Sequence, residues 1–324
     1  MKKLFGLFLI SLISCASIYA WDDTGHKVTA EIAWQQMTPA AREKAVALLL
    51  SAPENSGILN LLASDSRSLA TRQEQMFWLA STWPDLVRDE RFPQRKQTYN
   101  HATWHYTDTF FKQTNGKTEV VSELKPDAEN AVERLFAFEK FVSDQSKQDG
   151  EKAIALAWIL HLAGDIHQPL HAVARVTDVE PKGDQGGNLF LLTPADLPRE
   201  KRDNLHWFWD SVLSRTEPRI NDEGDGSYIS KLAAEIVKKY PSEKYGNQIK
   251  NGKYDEWAQE SFVIASQEVY PAALQRAALQ RGQAPPESYR QKAATIAQER
   301  LALAGYRMAF LLNRVFANIE SSQK

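Results

Sequence analysis

The segment HLAGDIHQPLH, residues 161–171, holds three of the chain's seven histidines together with one aspartate. His161 and Asp165 are four residues apart, a spacing that puts both side chains on one face of a helix, one turn apart. Pro169 ends the helical run before His171. NLHWFWD (204–210) repeats the spacing with His206 and Asp210. One such pair alone is commonly just a local ion pair. Two pairs on separate helices can converge on a metal ion from opposite sides. Imidazole nitrogen combined with carboxylate oxygen suits zinc at a catalytic site, whereas structural zinc favours cysteine.

Further donors lie upstream. WDDTGH (21–26) offers His26, STWPD (81–85) offers Asp85, and TWHYTD (103–108) offers His105 followed by Tyr106 and Asp108. Cleavage after Ala20 would add the free α-amine and the carbonyl of Trp21.

The elements that must carry these residues read as helices. HKVTAEIAWQQM (26–37) has apolar residues at 28, 32, 33 and 37, a helical stripe, and Thr38 with Pro39 restarts a helix as cap and first residue. KPDAENAVERLFAFEKFVSD (125–144) and DGEKAIALAWILHLAGD (149–165) form an expected helical pair, the second apolar on most sides and therefore central. Further helices are expected near 203–214, 228–240, 252–277 and 286–318, with loops at 84–103 and 174–202. NLFLLT (188–193) is the one short strand candidate. No repeat and no Pro-, Gly- or Ser-rich linker divides the chain. The expectation is a single all-α, multi-helix domain over 21–324.

Bulk properties agree. The 324 residues are 43% hydrophobic and 25% charged, enough for a large core. Residues 1–20 combine a basic start (MKK), a short apolar run (LFGLFLISLIS) and small residues (CASIYA), the pattern of an export signal rather than a membrane span. No later stretch is long and apolar enough to span a bilayer. Loss of that segment removes Lys2 and Lys3 and no acid, taking the formal charge from −2 to −4. A mildly acidic protein does not coat nucleic acid generically, so any attraction for phosphate must be local or come from bound ions. The one cysteine, Cys15, lies inside the signal, leaving an exported chain without disulfides. LISC (12–15) also fits lipoprotein processing at Cys15, the competing expectation to cleavage before Trp21.

The ordered set Trp21, His26, Asp85, His105, His161, Asp165, His171, His206 and Asp210 resembles the zinc-dependent S1/P1 nuclease family, whose bacterial relatives include zinc phospholipases C. The resemblance implies three zinc ions: one held by Asp85, His105, His161 and Asp165, one by His171, His206 and Asp210, and one by Trp21, His26 and a bridging Asp165. That third site favours cleavage after Ala20, because an amide nitrogen inside the chain is a poor ligand. Two cations sharing Asp165 can share and activate a water as hydroxide for in-line attack on phosphorus, with the remaining ion stabilising the leaving 3′-oxygen. Three ions bring about +6 against −3 from the aspartates, so the metals would draw phosphate to an acidic protein.

The resemblance also implies that Arg88 stabilises transition-state charge beside Asp85, that Tyr106 and Asp108 form a nucleobase pocket, and that Asn188 contacts base or phosphate from the GDQGGN loop (183–188). Gly186 and Gly187 would permit close backbone approach. Taken alone, Arg88 reads as a solvated arginine and Tyr106 as a core aromatic. His101 and His167 match no ligand position, and the tryptophans at 78, 83, 104, 158, 207 and 209 read as packing around the site.

The implied activity is hydrolysis of RNA and single-stranded DNA to 5′-phosphorylated products, with 3′-nucleotidase activity, by a secreted or periplasmic monomer. Stacking of an unpaired base predicts preference for single strands. Phospholipase C is the alternative on the same scaffold, but its pattern carries glutamate where Asp210 stands. A zinc-storage protein is a third possibility, which the mixed His/Asp donors argue against.

Overall fold

Twelve α-helices among the described residues are joined by short 3-10 turns and one small sheet. The computed structural model describes residues 21–220, 223–250, 252–270 and 280–321, so the expected signal and Cys15 lie outside the described residues. The first helices are α1 (Asp23–Gln36), α2 (Pro39–Leu50), α3 (Leu69–Ala80), α4 (Trp83–Leu86) and α5 (Pro93–Tyr99). Then follow α6 (Ala131–Ser143), α7 (Asp149–Asp165), α8 (Leu205–Asp210), α9 (Val212–Thr216) and α10 (Asp225–Lys239). The last are α11 (Tyr254–Ile264) and α12 (Glu287–Ser321).

Local chemistry sets these boundaries. The Asp22 side chain accepts from the Gly25 N–H at 3.0 Å and starts α1 at Asp23, three residues ahead of the expected segment 26–37. Thr38 caps α2 with Pro39 at its first position, as expected. Asn130 caps α6, so that helix begins at Ala131 rather than near 125. Residues 84–103, expected to be a loop, contain α4 and α5, each with a proline in its first turn where the missing N–H costs nothing. The helix expected over 252–277 stops at Ile264 and continues as a π turn over Ala265–Val269.

The all-α expectation needs one amendment. β1 (Thr109–Thr114), β2 (Lys117–Val120) and β3 (Val173–Arg175) form a sheet in the order β2-β1-β3, with β1 antiparallel to β2 and parallel to β3. NLFLLT is not a strand. Leu191 makes one isolated bridge to Asn204, because α8 begins at Leu205 and ends the pairing. Phe190 and Leu192 still point inward.

Hydrophobic residues gather in two clusters. One surrounds α7, whose residues from Ala155 to Asp165 are all buried, which makes α7 central as expected. The other holds Trp21, Leu170, Leu205 and the inner faces of α10 and α12. Residues 161–171 cross from one to the other, with Ile166 in the first cluster and Leu170 in the second. Helix α1 lies hard against α12: a Cβ on Gly305 would stand 2.6 Å from Ile32 Cγ2 and 2.9 Å from the Thr29 carbonyl oxygen. Only glycine allows that approach.

Candidate metal centre

α7 presents His161 and Asp165 from one face. His26, from α1, stacks on His161 with ring centroids 4.0 Å apart and 17° between planes, and its Nε2 lies 3.3 Å from Asp165 Oδ1. His105, at the end of a 3-10 turn, brings Nδ1 within 2.8 Å of His161 Nε2 and 3.3 Å of Asp165 Oδ2. Asp85 Oδ1, from α4, is 4.0 Å from that His105 nitrogen and 3.9 Å from His161 Nε2. Nearby, His171 Nε2 lies 3.7 Å from Asp210 Oδ1 and His206 Nε2 3.5 Å from Asp210 Oδ2. Three sets of donor atoms thus fall within 4.8 Å of one another: His26, His161 and Asp165; Asp85, His105 and His161; His171, His206 and Asp210. Four donors about 2.0–2.1 Å from a tetrahedral ion stand roughly 3.3 Å apart, close to these separations.

The rings are aimed by backbone carbonyls, which can only accept. His161 Nδ1 donates to Ser81 at 2.7 Å, His171 Nδ1 to His105 at 2.6 Å and His206 Nδ1 to Gly186 at 2.7 Å. A neutral ring that donates through Nδ1 carries its lone pair on Nε2, the atom facing the aspartates. Buried atoms lacking a hydrogen-bond partner among the described residues include both Asp165 oxygens, Asp85 Oδ1, Asp210 Oδ2, His26 Nε2 and His171 Nε2. So many acceptors orphaned in one place would be costly in an apolar interior, and a cation supplies what they lack.

Trp21 sits against this cluster. Its indole is buried and donates to the Gly164 carbonyl at 3.0 Å, one residue before Asp165, while the Asp22 N–H donates to the Asp210 carbonyl at 2.9 Å. A Cβ on Gly164 would stand 3.0 Å from His26 Nδ1, so this helix position has to stay small.

Burial pushes the Asp165 carboxyl upward, but His161, His105 and His26 outweigh it and hold the group well below the usual carboxylate range. Burial of Asp85 is likewise overcome, chiefly by Arg88 and then by the imidazoles. Asp210 goes the other way: burial, with Asp165 and Asp22 adding repulsion, raises it well above the usual range despite His206 and Gln168. Burial and then Arg88 lower His105 to about 3, which keeps a neutral lone-pair donor there. Burial and neighbouring charges thus drive Asp165 down and Asp210 up in one cavity, a divergence common at functional sites.

The sequence pattern of the S1/P1 nuclease family matches residues 21–317, nearly the whole chain. The chain belongs to the S1/P1 nuclease family. Its relatives include endonuclease 2 of Arabidopsis thaliana, 25% identical over 94% of this chain and 93% of the relative. Nuclease P1 of Penicillium citrinum is 24% identical over 91% of this chain and 97% of its own length. Nuclease S1 of Aspergillus oryzae is 23% identical over 79% and 74%. Membership of the S1/P1 nuclease family indicates a hydrolase of nucleic acid, and the mostly α-helical fold fits it.

Within this S1/P1 nuclease, Arg88 among the expected substrate-contacting residues directly adjoins a member of the His/Asp cluster, and Tyr106 and Asn188 have partners of their own. Arg88 Nη2 is 3.3 Å from Asp85 Oδ1, with both side chains 14% exposed, at the rim of the cluster. Tyr106, next to His105, is half-buried and its hydroxyl reaches Asp127 Oδ2 at 3.4 Å. Asp108 is raised to about 7 by burial and by the Asp127 and Asp184 carboxylates. Asn188 is half-buried and donates through Nδ2 to the Gln185 carbonyl at 2.9 Å.

Gly186 and Gly187 are required by the protein's own packing. Both have positive φ (59° and 84°), and a Cβ would stand 2.5 Å from the Leu170 carbonyl oxygen at Gly186 and 2.9 Å from the Tyr270 hydroxyl at Gly187. Of the tryptophans, Trp78, Trp83, Trp158 and Trp209 are buried, Trp104 is half-buried and Trp207 is 39% exposed. His101 stacks on Trp104, with centroids 3.6 Å apart, outside the cluster. His167 also stays outside, as expected, buried and committed to other partners.

Sequence reasoning missed Gln168. It is fully buried, donates to Asp210 Oδ1 at 2.7 Å and accepts from the Leu170 N–H at 2.6 Å, thereby tying the turn after Asp165 to Asp210. It also missed the carbonyls of Ser81, His105 and Gly186, which no residue type announces.

Proposed function

We propose that this chain is an exported, zinc-dependent nuclease that cleaves RNA and single-stranded DNA to 5′-phosphorylated products and also removes 3′-phosphates from nucleotides. The observation that carries the reading is the set of buried, unsatisfied carboxylate and imidazole atoms within 4.8 Å of one another, in a member of a nuclease family. On this reading Asp85, His105, His161 and Asp165 hold one zinc, and His171, His206 and Asp210 a second. Trp21 and His26 hold a third that shares Asp165. Bound zinc would supply Lewis acidity, lowering the pKa of water and offsetting phosphate charge.

The chain's own residues do the rest. Arg88 points its guanidinium along the Asp85 edge, where a phosphate oxygen would meet a fixed positive charge. Tyr106 offers a ring face to an unpaired base, and Asp108 offers a carboxyl to base-edge donors, which disfavours paired strands. Asn188 would orient base or phosphate from the 183–188 loop. Maturation is proposed to occur by cleavage of residues 1–20, which frees Trp21 for the third site.

Among the described residues no helix is long and apolar enough to cross a membrane. The test combines metal analysis, end-group analysis and chelation. Three zinc ions per chain, loss of single-strand cleavage on chelation and recovery on zinc addition support the reading. Cleavage undiminished in the stripped protein overturns it, and hydrolysis of phosphatidylcholine in place of RNA would favour phospholipase C instead.

A further inference from the structure

The turn that joins Asp165 to His171 is held by a part-buried cluster of charged residues belonging to α11 and α12. Arg307 is fully buried and donates through Nη1 to His167 Nε2 at 2.9 Å and to Glu260 Oε2 at 2.8 Å, and through Nη2 to Glu260 Oε1 at 2.7 Å. Arg300, also buried, donates through Nε to the His167 carbonyl at 3.2 Å, through Nη1 to Glu260 Oε2 at 2.9 Å and through Nη2 to Ser261 Oγ at 3.1 Å. Ser261 Oγ in turn donates to the Ile166 carbonyl at 2.6 Å. His167 Nδ1 donates to the Ala163 carbonyl at 2.8 Å, so both ring nitrogens are committed away from the His/Asp cluster.

Two consecutive carbonyls of the turn, those of Ile166 and His167, and the His167 ring therefore have fixed partners from helices remote in sequence. On its other side the same turn sends Gln168 to Asp210. Arg300 and Arg307 are buried while the carboxylate they share, Glu260, is 31% exposed, and a buried ion pair is in itself weak evidence for stability. Its directional bonds are what apolar packing would not reproduce.

We propose that Glu260, Arg300, Arg307 and His167 act as positioning residues for the metal centre, locking the 165–171 turn so that Asp165 and His171 are preset at the spacing their ions require. The inference rests on the zinc reading above. Partners that orient ligands from behind commonly govern metal affinity by 10- to 100-fold.

The test measures zinc dissociation constants by competition with a chromophoric chelator, using Glu260→Gln, Arg300→Lys and a control, Glu139→Gln. Glu139 pairs with Arg314 and accepts from the Tyr254 hydroxyl at 2.5 Å, a comparable part-buried cluster that does not touch the turn. The expected result is zinc affinity weakened about tenfold or more in E260Q, with circular dichroism like the parent, and affinity within about twofold of the parent in E139Q. If E260Q does not fold, R300K decides, because it keeps the charge and loses the fork that reaches the His167 carbonyl. Parental affinity in the folded variants overturns the inference, as does an equal loss in E139Q. A parent chain that takes up no zinc overturns the metal reading and the inference with it.

Discussion

Asp165 presents its two oxygens to different imidazoles: Oδ1 stands 3.3 Å from His26 Nε2, and Oδ2 stands 3.2 Å from His161 Nε2. Neither oxygen has a hydrogen-bond partner among the described residues, so one carboxylate faces two half-built ligand sets. Asp165→Asn keeps the shape and removes the charge. The expected outcome is loss of at least one zinc by elemental analysis and a fall in single-strand cleavage of about a thousandfold or more, in line with loss of a dominant electrostatic group.

Gln168→Leu removes the amide that holds Asp210 Oδ1 without opening a large cavity. Metal should be lost first from the His171, His206 and Asp210 group, while Asp165 keeps its partners. Spectroscopy of a cobalt-substituted protein would resolve the sites; an unchanged spectrum counts against the assignment.

Gly186→Ala forces a side chain into positive φ and toward the Leu170 carbonyl. The strain of that backbone region is about 1–2 kcal/mol before any clash, and the loop must shift to relieve the rest. Because the Gly186 carbonyl accepts from His206 Nδ1, the melting temperature and the zinc content should fall together.

Metal removal should also destabilise the chain. Each ion at about a thousand times its Kd contributes about 4 kcal/mol, so stripping the protein should lower Tm by about 10 °C or more. Calorimetry with and without chelator measures this directly.

Glu31 supplies a pH dependence away from the cluster. Burial, with repulsion from Glu74, raises its carboxyl from 4.5 to about 7 against the opposing bond from Gln35. The folded chain therefore binds a proton that the unfolded chain has released, and stability should fall as pH rises from about 4.5 through 7. Glu31→Gln should flatten that part of the profile and raise stability at pH 8 by about 1–3 kcal/mol, measured by urea denaturation.

The donor set was legible because the chemistry needs particular side chains at particular spacings. His161 with Asp165 and His206 with Asp210 each reveal their shared face through a helical interval. The supports were not legible, because Ser81 and Gly186 contribute carbonyls that every residue owns, and Arg300 and Arg307 stand more than a hundred residues from the turn they grip. The small sheet escaped notice for a different reason. Only Phe111 of β1 is fully buried, so the segment lacks the clean alternation of a half-buried strand. Pro84 and Pro93 lie in the first turns of short helices inside the span expected to be a loop.

The close crossing of α1 and α12 at Gly305 joins the beginning of the described fold to its final helix. Arg300 and Arg307, which bond the carbonyl and ring of His167, both lie on that last described helix. A chain cut short of Arg300 would keep every His/Asp donor and lose both of those bonds, so possessing the ligands and holding them in place are tasks assigned to separate stretches of the polypeptide.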